Sequence, residues 1–311
     1  MHTRFTPRLV VTMALLLGIV ASPVQAQDEA PLQRLHPEDR AVVELILKHR
    51  GSRGTIGLQK IEGKNAIWVD DGGYKNTIGF VVNEKTGRIT EIHGNGQWLN
   101  NDALRALAVC KELELLSCLH NPRGMMKVVD DYSGEGLEAL TALPIRHVSF
   151  SGAFDDRGMK AAAKIPTLRQ IHARQTEVGD AGVAAFEGHP AIESLTIDSW
   201  SRPRFTVASL RSLAKMPKLK SFTFCGTYLT WDNGFDRLVP MAGQIEDIKL
   251  PNILVLPEDY EKVKAAFPKL AWPEIDYAKL LATPRHRQNW LKYADERGVA
   301  FMQRFTAAGK K

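Results

Sequence analysis

The chain has few cysteines, three in 311 residues, at positions 110, 118 and 225. An exported protein that depends on disulfides usually carries a denser and even-numbered set. We therefore predict three free thiols and a fold whose stability comes from its apolar core.

Long hydrophobic runs are also absent after the first 26 residues. Within those residues, Arg4 and Arg8 precede an apolar run from Leu9 to Ala21, which is short for a membrane span. Small residues then surround Ala26. The pattern predicts a cleaved signal peptide, residues 1–26, and an exported protein, periplasmic or secreted, that begins at Gln27 with no membrane span. An uncleaved N-terminal anchor is the alternative.

No large excess of one charge is present. There are 41 Lys and Arg against 35 Asp and Glu, a net charge of +6, and the charges are dispersed. A nucleic-acid interface usually needs a basic stripe, so we expect no nucleic-acid partner. Basic residues cluster only near the C-terminus, at Arg285, Arg287, Lys310 and Lys311.

The chain does contain a short repeat. In each copy, an apolar residue is followed by two further apolar residues, three and five positions later. The first position of each copy recurs roughly every 23 to 32 residues, a spacing typical of solenoids. These first positions are Ile89, Leu113, Ile145, Leu168, Ile192, Leu219 and Ile245. Apolar residues three apart precede most copies, which predicts one helix and one strand per copy stacked on a shared core.

Different patterns flank the repeat. A helix is expected from Pro37 to Gly51, followed by glycine-separated β-rich runs at 66–69 and 78–82 that indicate antiparallel hairpins. Apolar faces at 275–281 and 288–305 indicate two terminal helices. We therefore divide the chain into the signal peptide, an N-terminal helix and hairpin cap (27–85), a repeat array (86–272) and a helical C-terminal cap (273–311).

The repeats resemble the leucine-rich-repeat family, in particular its bacterial exported type with repeats of about 24 residues. The run from Thr176 to Val183, Thr-Glu-Val-Gly-Asp-Ala-Gly-Val, is close to that family's turn into the outer helix, whereas Ala153 and Trp200 depart from its Thr/Asn position. The resemblance implies an α/β solenoid with parallel strands on a concave face, helices on the convex face and ligand binding along the concave strands.

Alternation along each strand predicts which side chains point away from the core. Two outward rows follow, small and polar at their centre. From them we take Glu91, His93, His147, Gln170, His172 and Asp247 as candidate ligand-binding residues, with Arg174 and Asp198 just beyond as an exposed ion pair or a ligand contact.

His147 and His172 fall on adjacent strands, where two imidazoles can share a metal. Their neighbours are poor ligands and no carboxylate is expected to orient either ring, so we predict no metal, no cofactor and a solvated polar surface. Cys110 and Cys118 occupy core positions. Cys225 is expected nearest the surface and is the one candidate for a reactive thiol.

Four aromatic residues lie in loops that follow strands: Trp98, Trp200, Tyr228 and Trp231. Together they form either an exposed aromatic rim or part of the packing against the helices. The irregular insertion at 121–134 is either a contact loop or a surface excursion.

These features favour a non-enzymatic binding module for an unidentified protein or cell-surface glycan. A structural component of the cell envelope, held by its basic ends, is the alternative. An enzyme using His147, His172 or Cys225 is a remote one.

Overall fold

A ten-stranded sheet, most of it parallel, runs through the molecule in the computed structural model. The structure describes residues 30–50, 54–72, 77–95, 98–119, 130–198 and 204–308. The predicted signal peptide and Trp200 lie outside these ranges, as do residues 121–129 of the insertion and the final lysines.

The sheet begins with antiparallel strands, as the glycine-rich turns predict. They are β1 Thr55–Ile61, β2 Lys64–Asp70, β3 Thr77–Val82 and β4 Ile89–Asn95, each paired with the next. A two-residue turn with positive φ at Glu62 and Gly63 joins β1 to β2, with Ile61 opposite Lys64. Within the described residues β1 is the outer strand, and its Leu58 is 48% exposed. Because β4 pairs antiparallel with β3 and parallel with β5, it joins the two halves of the sheet.

The parallel part of the sheet alternates with short helices. Its strands are β5 Leu115–Leu119, β6 His147–Ser151, β7 Gln170–Arg174, β8 Ser194–Asp198, β9 Ser221–Phe224 and β11 Asp247–Lys249. The α-helices between them are Asn101–Ala106, Asp156–Ala162, Asp180–Ala184, Val207–Leu213 and Asp236–Leu238. The helical layer also contains 3-10 turns at Leu107–Val109, Asp130–Tyr132, Glu135–Leu140 and Val239–Met241 and a π-helical turn at Trp231–Phe235.

The first apolar position of every copy is buried, from Ile89 at 0% exposure to Ile245 at 4%. The helical residues three apart are buried with them, including Met159, Leu210 and Leu213. Strands and helices therefore share one apolar core, as the repeat predicts, and the other face of the sheet is left open.

Helices cover both ends of the array. Pro37–Arg50 packs on the N-terminal side, where Asp39 at its first turn accepts the Ile89 N–H at 2.7 Å. At the other end lie Pro257–Ala266, Tyr277–Ala282, Pro284–Leu291 and Glu296–Ala308, beside a small parallel pair of β10 Tyr228–Leu229 and β12 Leu254–Val255.

One predicted boundary is wrong. The apolar face at 288–305 belongs to two helices, because the Asp295 carboxylate accepts the Gly298 N–H at 2.9 Å and so starts a new helix.

Candidate functional site

The open face of the sheet carries two rows of outward side chains, one residue from each strand in each row. The strand register matches the rows predicted from alternation. The first row is Glu91, Leu115, His147, Gln170, Ser194, Ser221 and Asp247, and the second is His93, Ser117, Ser149, His172, Thr196, Thr223 and Lys249. We call this surface the open face.

Most of these side chains are half-buried or exposed, and Leu115 is the one apolar member. Neighbouring hydroxyls bond across the strands, as Ser221 does to Ser194 at 2.9 Å. The open face therefore offers hydrogen-bonding groups rather than an apolar centre.

At the β4 end, Glu91 organises a small charged group. Its carboxylate contacts Nε2 of His93 at 2.9 Å and is bonded by the ammonium of Lys64. Burial opposes ionisation of Glu91, but the bonds from Lys64 and His93 outweigh it and lower the pKa of the carboxyl group. Glu91 and His93 are thus bonded to each other on the open face.

His147 and His172 meet edge-on at the centre of the open face, with 5.1 Å between ring centroids. Burial lowers the pKa of both, and the approach of His93 to His147 and of His147 to His172 lowers it further. Gln170 hydrogen-bonds the His147 ring. Within the described ranges, no group of three or more His, Cys, Asp or Glu residues is placed to hold a metal ion.

The expected ion pair between Arg174 and Asp198 is present, with 3.9 Å from Nε to Oδ2. The other carboxylate oxygen of Asp198 accepts the Cys225 thiol at 3.0 Å. The predicted ion pair between Arg174 and Asp198 is therefore confirmed. The prediction that Cys225 lies nearest the surface is wrong, because this residue lies inside the strand-to-loop turn and is fully buried.

All three cysteines are buried and none is in a disulfide, in agreement with the prediction. Burial raises the pKa of both Cys110 and Cys118 to about 12, so neither thiol is ionised near neutral pH.

Of the two interpretations of the loop aromatics, packing rather than an exposed rim describes Trp98 and Tyr228. Trp98 is 0% exposed, and Tyr228 is 3% exposed with its hydroxyl donating to Asp295 at 2.7 Å. Trp231 is half-buried and packs on the core. The rings of Trp98, Tyr228 and Trp231 therefore pack the loops against the core rather than forming an exposed rim.

The described end of the insertion, residues 130–134, is anchored rather than free. Ser133 is fully buried and accepts a bond from the Asn101 side chain at 3.0 Å, while Asn101 accepts the Gly136 N–H at 3.1 Å.

A third row of charged residues lies at the entrance of the strands, one position before the first row. Their backbones are joined in a chain of hydrogen bonds, for example from the Arg169 N–H to the Arg146 carbonyl at 2.9 Å. The members are Glu114, Arg146, Arg169, Glu193, Lys220 and Glu246. The entrance row was not predicted from the sequence, because strand alternation was applied to only two outward positions per strand. Charged residues at the same position in six copies are the signal that could have identified it.

No protein-family model matches the chain, and comparison with curated proteins finds no match. Among the described residues, no helix has the length and apolar character needed to cross a membrane.

Proposed function

We propose that this chain is a leucine-rich-repeat solenoid that acts as a non-enzymatic binding module outside the cytoplasm and holds a partner protein across its open face. The observation that carries the proposal is the pair of in-register polar rows on the face that none of the described helices covers. A regular sheet with one solvated polar face offers a long, preformed surface on which a partner needs little rearrangement of the protein.

The centre of the open face supplies the sharpest test. Gln170, His172 and Arg174 project from one strand, and alanine at these positions removes polar contacts without opening the core. We expect the triple alanine variant to keep its thermal unfolding midpoint and to lose the partner that the wild-type protein captures from a cell-envelope extract, read by mass spectrometry.

A matched control changes exposed cations on the helical side, Lys160→Ala with Arg211→Ala. It is expected to capture the same partner as the wild type. Equal capture by all three proteins would contradict binding through the open face. Retention that instead depends on Arg285 and Arg287 would favour a structural role in the envelope.

Export is a separate part of the proposal, supported by the pattern of residues 1–26. Cell fractionation followed by N-terminal sequencing is expected to give an exported chain that begins at Gln27. An intact N-terminus in the cytoplasmic fraction would contradict it.

A further inference from the structure

Strands β6 and β7 and the residues before them carry five basic side chains and no carboxylate. They are Arg146, His147, Arg169, His172 and Arg174, which we call the cationic strip. Arg169 and Arg174 are 56% and 58% exposed, and Arg146 is exposed without an ion pair to any described residue. We propose that the cationic strip binds an acidic peptide segment in extended conformation, an inference that rests on the proposed function and names its partner.

The dimensions of the strip fit such a segment. Arg169, which immediately precedes β7, and Arg174, its last residue, stand five residues apart, which corresponds to about 17 Å of extended chain. An extended peptide presents every second side chain on the same side at intervals of about 7 Å, so two or three of its carboxylates span the strip. Guanidinium groups bind carboxylates through paired hydrogen bonds, and the histidines between them supply ring N–H donors.

Acidic residues border the strip on both sides and limit its width. On the β8 side, Glu193 pairs with Arg169 at 3.4 Å and Asp198 with Arg174 at 3.9 Å. On the β5 side lies the exposed Glu114. These carboxylates repel a broad polyanion such as a nucleic acid, whereas a single extended chain fits between them. The described open face between β5 and β8 carries no outward Phe, Tyr or Trp for stacking on a base or a sugar, which further favours a peptide.

The two histidines add a dependence on pH. His147 faces His93 and Gln170, and His172 faces His147 and Arg174, while the neighbouring row positions on β5 and β8 are uncharged. Burial is the largest cause that lowers both histidine pKa values, and neighbouring positive charge acts in the same direction, so the rings are neutral at pH 7.5. A bound carboxylate favours the protonated rings, so binding takes up protons and is expected to tighten as the pH falls to 5.5.

The test uses a fluorescent peptide in which Glu alternates with Ser, and a matched peptide in which Gln replaces Glu. Fluorescence anisotropy is expected to show the Glu peptide binding at least about ten-fold more tightly than the Gln peptide, and more tightly at pH 5.5 than at pH 7.5. Arg146→Gln with Arg174→Gln should weaken the Glu peptide by about ten-fold. Arg211→Gln, which removes an exposed cation on the helical side, is the matched control and should leave affinity within about two-fold.

Equal binding of the two peptides would overturn the inference. So would a sulfated oligosaccharide or an oligonucleotide that binds more tightly than the Glu peptide with the same arginine dependence, because the strip would then recognise another class of polyanion. If no probe binds while extract capture still depends on Gln170, His172 and Arg174, the acidic-peptide inference fails and the proposed function stands. Should the double variant unfold, Arg146→Gln alone tests the strip, since Arg146 has no ion pair among the described residues.

Discussion

At the scale of single residues, two aspartates connect neighbouring repeats through hydrogen bonds. Asp156 accepts the N–H groups of Gly179 and Gly182 at 2.7 and 3.0 Å. Asp180 accepts the N–H and hydroxyl of Thr206 at 2.7 and 2.8 Å. Each carboxylate thus satisfies donors at the start of the next helix, and this explains why Asp stands in the Thr-Glu-Val-Gly-Asp-Ala-Gly turn.

His189 is a buried side chain whose protonation should affect stability. It is 5% exposed, its Nδ1 accepts the Ile192 N–H at 3.1 Å, and its Nε2 therefore donates to the Ile165 carbonyl at 3.0 Å. Burial lowers its pKa, although the bond to Ile165 opposes the shift. The folded protein prefers the neutral ring, so this contribution to stability is present above the pKa of the unfolded chain and declines as the pH falls below it.

We predict that His189→Asn, which can keep the acceptor but loses the donor to Ile165, lowers the unfolding free energy by about 1–2 kcal/mol at pH 7.5. The difference from wild type should shrink by pH 5, because the variant has no buried imidazole to protonate. Urea unfolding at both pH values measures this. His49→Asn, at an exposed site, is the control, and identical pH slopes for wild type and His189→Asn would contradict the prediction.

The residue scale is also where sequence reasoning was weakest. Side-chain direction in a strand follows a period of two, so the open-face residues could be predicted. No such period governs loops, and Trp98, Tyr228 and Cys225 turned inward where the sequence allowed an exposed position. Burial of Tyr228 depends on Asp295, which lies 67 positions away and which no local pattern identifies.

At the scale of elements, glycine residues allow neighbouring helical turns to approach each other closely. A Cβ on Gly136 would lie 2.3 Å from the backbone oxygen of Asn101, and one on Gly182 would lie 2.6 Å from the Asp156 carboxylate. At Gly234 the nearest atom would be the end of the flexible Leu210 side chain, at 2.5 Å. The three glycines therefore tolerate a methyl group to different degrees.

We predict that Gly136→Ala lowers the unfolding free energy by about 1–3 kcal/mol, because the helical backbones must move apart. Gly234→Ala is the matched control and should cost less, because Leu210 can change rotamer and alanine favours the helical turn. Chemical denaturation of the two variants gives the comparison. Equal losses would show that helix spacing does not depend on the backbone contact at Gly136.

The sequence predicts an element well where a single period of apolar residues runs through the whole element. The helix at Pro37–Arg50 and the register of the two outward rows across seven strands agree with expectation, since buried positions recur without interruption. The division of the last helix at Asp295 was missed, because apolar residues on both sides preserve a helical pattern across the break.

At the scale of the whole molecule, the C-terminal helices form their own apolar cluster on the end of the array. Trp290 is fully buried there, and its indole N–H donates to the Asn252 carbonyl at 3.0 Å. Tyr228, Leu254 and Met302 belong to the same cluster, so the helices cover side chains contributed by the array.

We predict that Trp290→Ala lowers the unfolding free energy by about 3–5 kcal/mol in a single transition with an unchanged m-value. Leu291→Ala is the control, since this neighbouring side chain is 52% exposed and should cost under about 0.5 kcal/mol. A small early transition with the main one unaltered would instead mean that the terminal helices unfold separately.

The outer strand β1 has a consequence for how the molecule behaves in a concentrated solution. Because Ile61 and Lys64 close the hairpin, the backbone donors and acceptors of Ile56, Leu58 and Lys60 point away from β2. A sheet edge of this kind can recruit strands from other molecules and begin aggregation. Lys60 places a charge on that edge, and pairing with a further strand would desolvate this charge, so we expect Lys60 to oppose growth of the sheet.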